Sequence, residues 1–463
     1  MINRAILRRF SAVTLSLLIL LGTDMPARQA AAQGRALALV RDAETEATIR
    51  AYADPLFRAA GLDPAGIRVL LVNDDSINAF VAGGMRMFIN TGLLIRADTA
   101  NQVIGVIAHE TGHISGAHLS RIQEELRNAT IEQIIGMILG GAAAAASGQA
   151  GGVLAGTTLG NEIAKRSLFA YTRTQESAAD HAGMGFLDAT KQSSRGLLEF
   201  FEKLEGQEFL SNPQDPYLRT HPLTTDRIDS VQQHVNQSPY SDVTDSPQLN
   251  ARHQRMIAKL KGYLWPLSRV EQEFPESDQS VPARYARAVA LYRVSRMQEA
   301  VALMDSLLAE APNDPYFLEQ KGQILYDSGQ LAAALPVYAA AHDAAPHEPM
   351  ITLGLAQVEV GLEQPDLNKT AIRHLEEITA IEPRNSRVWY YLSVAYGRDG
   401  NLPMSHLAQA EQAMAQGDAE LAWAQAKRAL EGMEAGSPGW LKANDLISEA
   451  QQRLDRYEEP PAP

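Results

Sequence analysis

Between Ala36 and Ala60 apolar residues recur at helical spacing, and the character then changes through GIRVLLVNDDSINAFVAGGMRMFINTGLL. Ile67 to Val72 predicts a short strand, Gly83-Gly84 a turn, and Met85 to Asn90 a second strand with partial alternation. Helical periodicity resumes near Thr99, with Asp98 or Thr99 as the capping residue. Between Glu132 and Glu162 lie 29 uncharged residues, much of them Ala and Gly. This stretch (133–161) reads first as a helix hairpin packed over the core; a lid or a peripheral membrane contact are the alternatives, and its glycines count against a transmembrane helix. A loop rich in Pro and Asp covers Ser211 to Asp226, another helix follows, and FPESDQSVP at 274–282 reads as a linker.

Beyond that linker the pattern repeats. Ala288 and Gly322, Tyr292 and Tyr326, Ala300 and Ala334, and Pro312 and Pro346 each stand 34 residues apart. That is the tetratricopeptide period, with its small, aromatic, small and proline positions in order. A further unit ends at Pro383 after a three-residue slip, and helical pairs resume in WYYLSVAYGRDG and AQAEQAMAQGDAELAWAQAKRAL. An array of about four units is expected over 283–457, with a groove suited to a protein or peptide and a disordered tail at 458–463.

Composition sharpens the picture at three points. A chain of 463 residues, 45% hydrophobic, is long enough for two or three domains. Its first 32 residues carry Arg4, Arg8 and Arg9, an uncharged run from Phe10 to Thr23, and Ala30-Ala31-Ala32. They read as a signal peptide, implying export to the periplasm, since the apolar run is shorter than the roughly 20 residues that span a bilayer. There is no cysteine, so disulfides, thiolate nucleophiles and thiolate-bound zinc are excluded. The net charge is −14; the leader holds four Arg and one Asp, a net of +3, so the remainder carries −17. An acidic chain argues against nucleic acid as a partner.

The candidate chemistry lies in AHETGH, residues 108–113. His109 and His113, one helical turn apart, share a face and can direct both imidazoles at one ion, while Glu110 beside them can take a proton from water. Zinc is favoured by this ligand type, and it needs a further protein ligand. His118 is close in sequence but points away on a continuing helix. In FAYTRTQESAADHAG, Glu176 and Asp180 again stand one turn apart: Glu176 as a third ligand, Asp180 as the hydrogen-bond acceptor that fixes a ligand imidazole. The plain alternative is a solvated acidic face, against which Ala178-Ala179 and their apolar company argue.

HETGH, then RTQESAAD, then LRTHPLTTDRI together resemble the gluzincin peptidases of the HtpX and CAAX-prenyl-protease family. With the leader and the repeats, the order along the chain is similar to the periplasmic members that assist and police outer-membrane β-barrel assembly. The implied fold is mainly α: a zincin-type α+β protease domain with a small sheet at 33–273, followed by an α-helical tetratricopeptide-repeat solenoid. The resemblance implies one Zn2+ per chain held by His109, His113 and Glu176, Glu110 as general base, and Asp180 behind the ligands. It makes His221 a fourth ligand that holds the enzyme latent, with transition-state stabilisation or loop packing as alternatives, and Arg227 a loop or charge partner. It also implies that GGMRMFIN is the edge strand on which extended substrates pair, through Gly84, Met85, Arg86 and Met87. Implied substrates are unfolded or misassembled envelope proteins, with the β-barrel assembly machinery as partner of the repeats. A chaperone or assembly adaptor with a latent metal site is the rival expectation. Members of this type often tie repeats to protease through cysteines; here any such coupling is noncovalent.

Overall fold

The computed structural model describes residues 38–82, 85–117, 158–208, 217 and 220–458. The signal-peptide, 133–161 hairpin, His118, Gly84 and tail expectations fall wholly or mostly outside them. The chain forms two compact units, one of Met1–Val40, Asp54–Ala97 and Asn101–Val243, the other of Arg41–Ala53, Asp98–Ala100 and Thr244–Pro463.

The first unit is built on a four-stranded sheet in the order β1-β2-β4-β3, with β1 Leu39–Val40, β2 Arg68–Val72, β3 Ala79–Ala82 and β4 Arg86–Asn90. Strand β2 runs parallel to β4, and β1 and β3 run antiparallel to their neighbours. The expected strands at 67–72 and 85–90 are β2 and β4. The edge assignment is corrected: Arg86 pairs with Arg68 on one side and Ala82 on the other, and Met87 with Val69 and Val81, so this strand is internal. The edge is β3. All four of its residues are buried, which removes the alternation by which a strand is recognised.

Helix α1 (Ala43–Ala59) precedes the sheet and α2 (Thr91–Arg96) leaves β4. Helices α3 (Ala100–Ser115), α4 (Thr158–Ala189), α5 (Arg195–Glu208) and α6 (Thr225–Gln237) follow. The apolar side of α3 (Val103, Ile104, Ile107) is at most 1% exposed, as are Leu197 and Phe201 of α5. Helices α3 and α4 meet backbone to backbone. A Cβ on Gly112 would lie 2.6 Å from Ala179 O, and one on Gly183 would lie 3.0 Å from the carbonyl carbon of Ala108. Glycine at both positions permits this approach. Ala179 is buried as expected, whereas Ala178 faces outward.

In the second unit the boundary falls at Thr244, earlier than the residue-274 boundary read from the sequence. Helices α7 (Pro247–Leu264) and α8 (Leu267–Glu273) join α9 (Val281–Arg293) in one small core of Ala258, Val270, Ala286 and Ala290. The stretch 274–282 is a pinned turn rather than a loose linker: Arg287 Nη1 donates to Phe274 O, Pro275 O and Asp278 O at 3.1, 2.6 and 2.9 Å. Pairing with α9 is α10 (Met297–Glu310), and there follow α11 (Pro315–Asp327) with α12 (Leu331–Ala344), α13 (Pro349–Gly361) with α14 (Pro365–Ile381), α15 (Ser386–Arg398) with α16 (Leu402–Gln416), and α17 (Ala419–Leu430) with α18 (Pro438–Glu458). These are five helix pairs among the described residues, one more than the periodicity indicated. The last lacks the repeat proline and joins its neighbour through left-handed Gly417.

One of the periodic small residues has a steric cause. A Cβ on Gly322 would lie 2.7 Å from the Tyr338 ring and one on Gly354 2.3 Å from it, so small residues on α11 and α13 form the slot for that ring. Charge is also buried in this unit. Tyr285 donates to Glu44 Oε2 at 2.8 Å, Arg255 pairs with Glu44 and with Asp314 at 2.6 Å, and Lys259 Nζ contacts Asp42 and lies 3.7 Å from both Glu44 and Glu319. The first turns of α1 are thus held by ion pairs.

Candidate metal centre

Helix α3 presents His109 and His113 on one side, α4 presents Glu176, and the segment leading into α6 brings His221. His109 Nε2 lies 3.1 Å from His113 Nε2, 3.2 Å from His221 Nδ1 and 3.3 Å from Glu176 Oε2. His113 Nε2 is 3.3 Å from Glu176 Oε1, and His221 Nδ1 is 3.1 Å from Glu176 Oε2. All four residues are buried, and their ligand atoms lie within 4.8 Å of one another.

The proton positions test whether this group suits a cation. His109 Nδ1 is 2.8 Å from Asp180 Oδ1; an ionised carboxylate only accepts, so Nδ1 carries the proton and Nε2 a lone pair. His221 Nε2 is 3.1 Å from Ala79 O, so it donates there and leaves a lone pair on Nδ1. In the neutral rings, the form that binds a metal, two lone pairs face each other at 3.2 Å, an arrangement that a positive ion between them makes favourable. Tetrahedral zinc with bonds of about 2.1 Å has ligand atoms about 3.4 Å apart, close to these separations. The residues fit the ion.

Electrostatics agree. Burial opposes an imidazolium at His109, but hydrogen bonds to Asp180 and Glu176 push it up to about 10, so the Nε2 position facing Glu176 draws a proton, the positive charge that a metal ion would replace. Burial pushes His113 down, against the pull of Glu176. Burial would also raise Glu176; contact with the imidazoles of His221, His109 and His113 holds it well below the usual carboxylate range. The cluster concentrates negative charge and draws positive charge inward.

Asp180 and Arg227 form the layer behind the ligands. Arg227 Nε donates to Asp180 Oδ2 at 2.6 Å and Nη2 to Oδ1 at 2.9 Å. Its Nη1 donates to Pro222 O at 3.0 Å and lies 3.1 Å from Glu176 Oε2. The guanidinium rests 4.9 Å over the Phe201 ring. Thr224 caps α6 by accepting from Arg227 N. One side chain thus ties together Asp180, Glu176 and the backbone beside His221. Against the burial penalty, Arg227 and His109 keep Asp180 ionised below its ordinary range.

Glu110 is fully buried beside His109, and neither of its carboxylate oxygens has a hydrogen-bond partner among the described residues. Its Oε1 is 3.4 Å from His221 Nε2. A buried carboxylate without a donor is costly unless a water or substrate proton is to meet it. His221 is seated by Tyr217, whose ring lies 4.8 Å from its own at 32°, by Thr220 Oγ1 at 3.3 Å from Asn78 Oδ1, and by the Ala79 carbonyl on β3. Tyr217 and Ala79 were not anticipated: a carbonyl has no sequence signature, and Tyr217 belongs to no motif. Arg86 and Met87, expected at the site, are in β4, one strand inward from β3.

Residues 41–235 match Peptidase family M48. The Beta-barrel assembly-enhancing protease of Yersinia pestis is 29% identical over 348 residues, covering 74% of this chain and 70% of that protein. The protein of the same name from Escherichia coli K12 is 25% identical over 391 residues, covering 84% and 79%. Metalloprotease LoiP of Escherichia coli K12 is 26% identical over 173 residues, covering 37% and 64%. Among solved structures, the tetratricopeptide protein YrrB overlaps 42% of this chain and 98% of its own, at 18% identity and a TM-score of 0.29.

Proposed function

We propose, for a chain that carries a peptidase M48 domain within residues 41–235, that it is a zinc endopeptidase of the periplasm acting on misfolded or stalled outer-membrane β-barrel proteins. The observation that carries this reading is Glu110, buried and without a donor beside three imidazoles and a carboxylate that converge. Zinc, when bound by His109, His113 and Glu176, supplies Lewis acidity to the scissile carbonyl and to water. Glu110 takes the proton of the attacking water and passes it to the leaving amine. Asp180 fixes the His109 tautomer, and Arg227 holds Asp180 in place.

His221 is read as a latch. It fills the fourth ligand position and also occupies the Ala79 carbonyl on the edge of the sheet. An extended substrate pairing along β3 would compete for that carbonyl, so substrate entry and release of His221 are one event. Export rests on the leader, and the β-barrel substrates and the assembly machinery as partner of the repeats rest on the similarity to the Beta-barrel assembly-enhancing proteases.

The test is zinc content and casein cleavage of the wild type beside Glu110→Gln and His221→Ala. The expected outcome is one zinc per chain, a loss of about 10²–10⁴-fold in the Gln variant, and a gain in the Ala variant. Retained cleavage in Glu110→Gln sinks the mechanism. A closed set of four protein ligands is also what a structural zinc site has, which favours a second reading: an assembly adaptor with a latent centre. That reading requires Glu110→Gln to leave the cellular phenotype intact while deletion of 283–457 abolishes it.

A further inference from the structure

A second convergence of imidazoles lies in the repeats. His342 on α12 and His374 on α14 approach with ring centroids 5.2 Å apart and planes inclined by 48°. Helix α13 packs against both helices and supplies an acceptor to each ring. Thr352 Oγ1 lies 3.0 Å from His342 Nδ1 and donates its own proton to Glu348 O at 3.1 Å, so it accepts from the imidazole. Glu359 Oε2 lies 3.0 Å from His374 Nδ1. Thr352 and Glu359 are only 4% and 3% exposed, and their spacing of two helical turns places them on one side of α13.

These bonds fix both tautomers. Each Nδ1 carries a proton, the lone pair of each neutral ring is on Nε2, and no described residue hydrogen-bonds to either Nε2. A buried carboxylate behind one imidazole and a hydroxyl behind the other is the support that metal-binding histidines ordinarily have. Burial and the neighbouring His374 keep His342 below its ordinary range, while Asp343, Glu377 and Glu359 supply a negative field around it. The neutral imidazole is the form that binds a metal.

We propose that His342 and His374 form a second, exchangeable site for a divalent transition-metal ion, each ligating through Nε2, with water completing the coordination. Imidazole nitrogen selects zinc, copper or nickel over calcium and magnesium. With two protein ligands, both partly open to solvent, the site is weaker than the protease centre and exchanges faster. A bound ion joins α12 to α14 across α13, so the stiffness of the second and third helix pairs follows free metal.

The test is zinc uptake by the full chain at micromolar free zinc, by equilibrium dialysis, for the wild type, His342→Gln/His374→Gln, Glu359→Gln and His109→Ala. The wild type takes up a second equivalent beyond the tightly held first, and the double variant does not. His109→Ala loses the first and retains the second, and Glu359→Gln weakens the second about tenfold. Amide exchange over 342–374 slows with zinc in the wild type and not in the double variant. Equal uptake by wild type and double variant, or no second equivalent in the wild type, overturns the proposal. Should the double variant fail to fold, His374→Gln alone decides: an unchanged second equivalent is equally fatal.

Discussion

Two buried clusters of charge stand in this chain, and they solve the same problem in opposite ways. At the candidate metal centre, the ligand atoms of His109, His113, His221 and Glu176 gather within 4.8 Å of one another, and the surrounding bonds to Asp180, Ala79 and Arg227 keep them there. In the repeat unit, Asp42, Glu44, Glu319 and Asp314 are met by Lys259 and Arg255 from within the chain. The first cluster is completed by something from outside; the second is met from within, although two cations face four carboxylates and Glu319 Oε2 has no hydrogen-bond partner among the described residues. The buried group that must react or bind is left one partner short, whereas most of the buried groups that only hold structure are given a counter-charge.

Removing a counter-charge from the second cluster gives the largest expected change in stability. Lys259→Met leaves Asp42, Glu44 and Glu319 facing one another in a buried place and should cost about 3–5 kcal/mol, read by urea unfolding of the repeat unit, with zinc content unchanged. A cost below about 1 kcal/mol would show the cluster to be solvated after all. At the open cluster the same logic gives a binding effect. Asp180→Asn keeps the shape but loses the charge behind His109, and should weaken zinc about 10–100-fold by competition with a chelator, while repeat stability stays as it was.

The smallest effect concerns pH. Burial, with Asp42 and Glu44 adding repulsion, outweighs the attraction of Lys259 and raises Glu319 from 4.5 to about 7. A carboxyl whose folded value is raised stabilises the fold fully below its unfolded value and loses that contribution as pH rises through the folded one. The wild type should therefore lose stability between about pH 4.5 and 7. Glu319→Gln, which stays neutral, should be more stable by on the order of 2 kcal/mol at pH 8 and equal to wild type below pH 4.5. A wild-type melting curve flat across that window would contradict this assignment.

What could be read from sequence follows from the range of the interactions concerned. Histidines four apart on a helix, and Glu176 and Asp180 four apart on another, are local patterns. Their meeting is signalled only by the small residues that let α3 and α4 touch. The 34-residue period was legible because each repeat is one helix pair of fixed length stacked on the next, and at one of its small positions, Gly322, the Tyr338 ring leaves no room for a side chain. The edge strand was misassigned because alternation describes a strand and says nothing of its neighbours; β4 lies between β2 and β3 by a parallel crossover that no local pattern encodes. Helices α7 and α8 share a core with α9 yet lack the repeat spacing, so their membership was invisible. The Glu44, Lys259 and Arg255 cluster joins residues more than 200 positions apart, and single-chain reading has no access to such pairs.

The contact between α3 and α4 has a consequence for which ions the centre tolerates. With the Gly112 and Gly183 positions pressed against opposing backbone, the two helices act as the fixed jaws of a calliper. His109, His113 and Glu176 keep one gap, and a change of ionic radius cannot be absorbed by sliding one helix along the other. Any misfit passes to His221, the ligand carried on a connecting segment rather than on either jaw. Cadmium, larger than zinc, should therefore loosen His221 before it disturbs the helices, making ionic size itself a lever on the proposed latch.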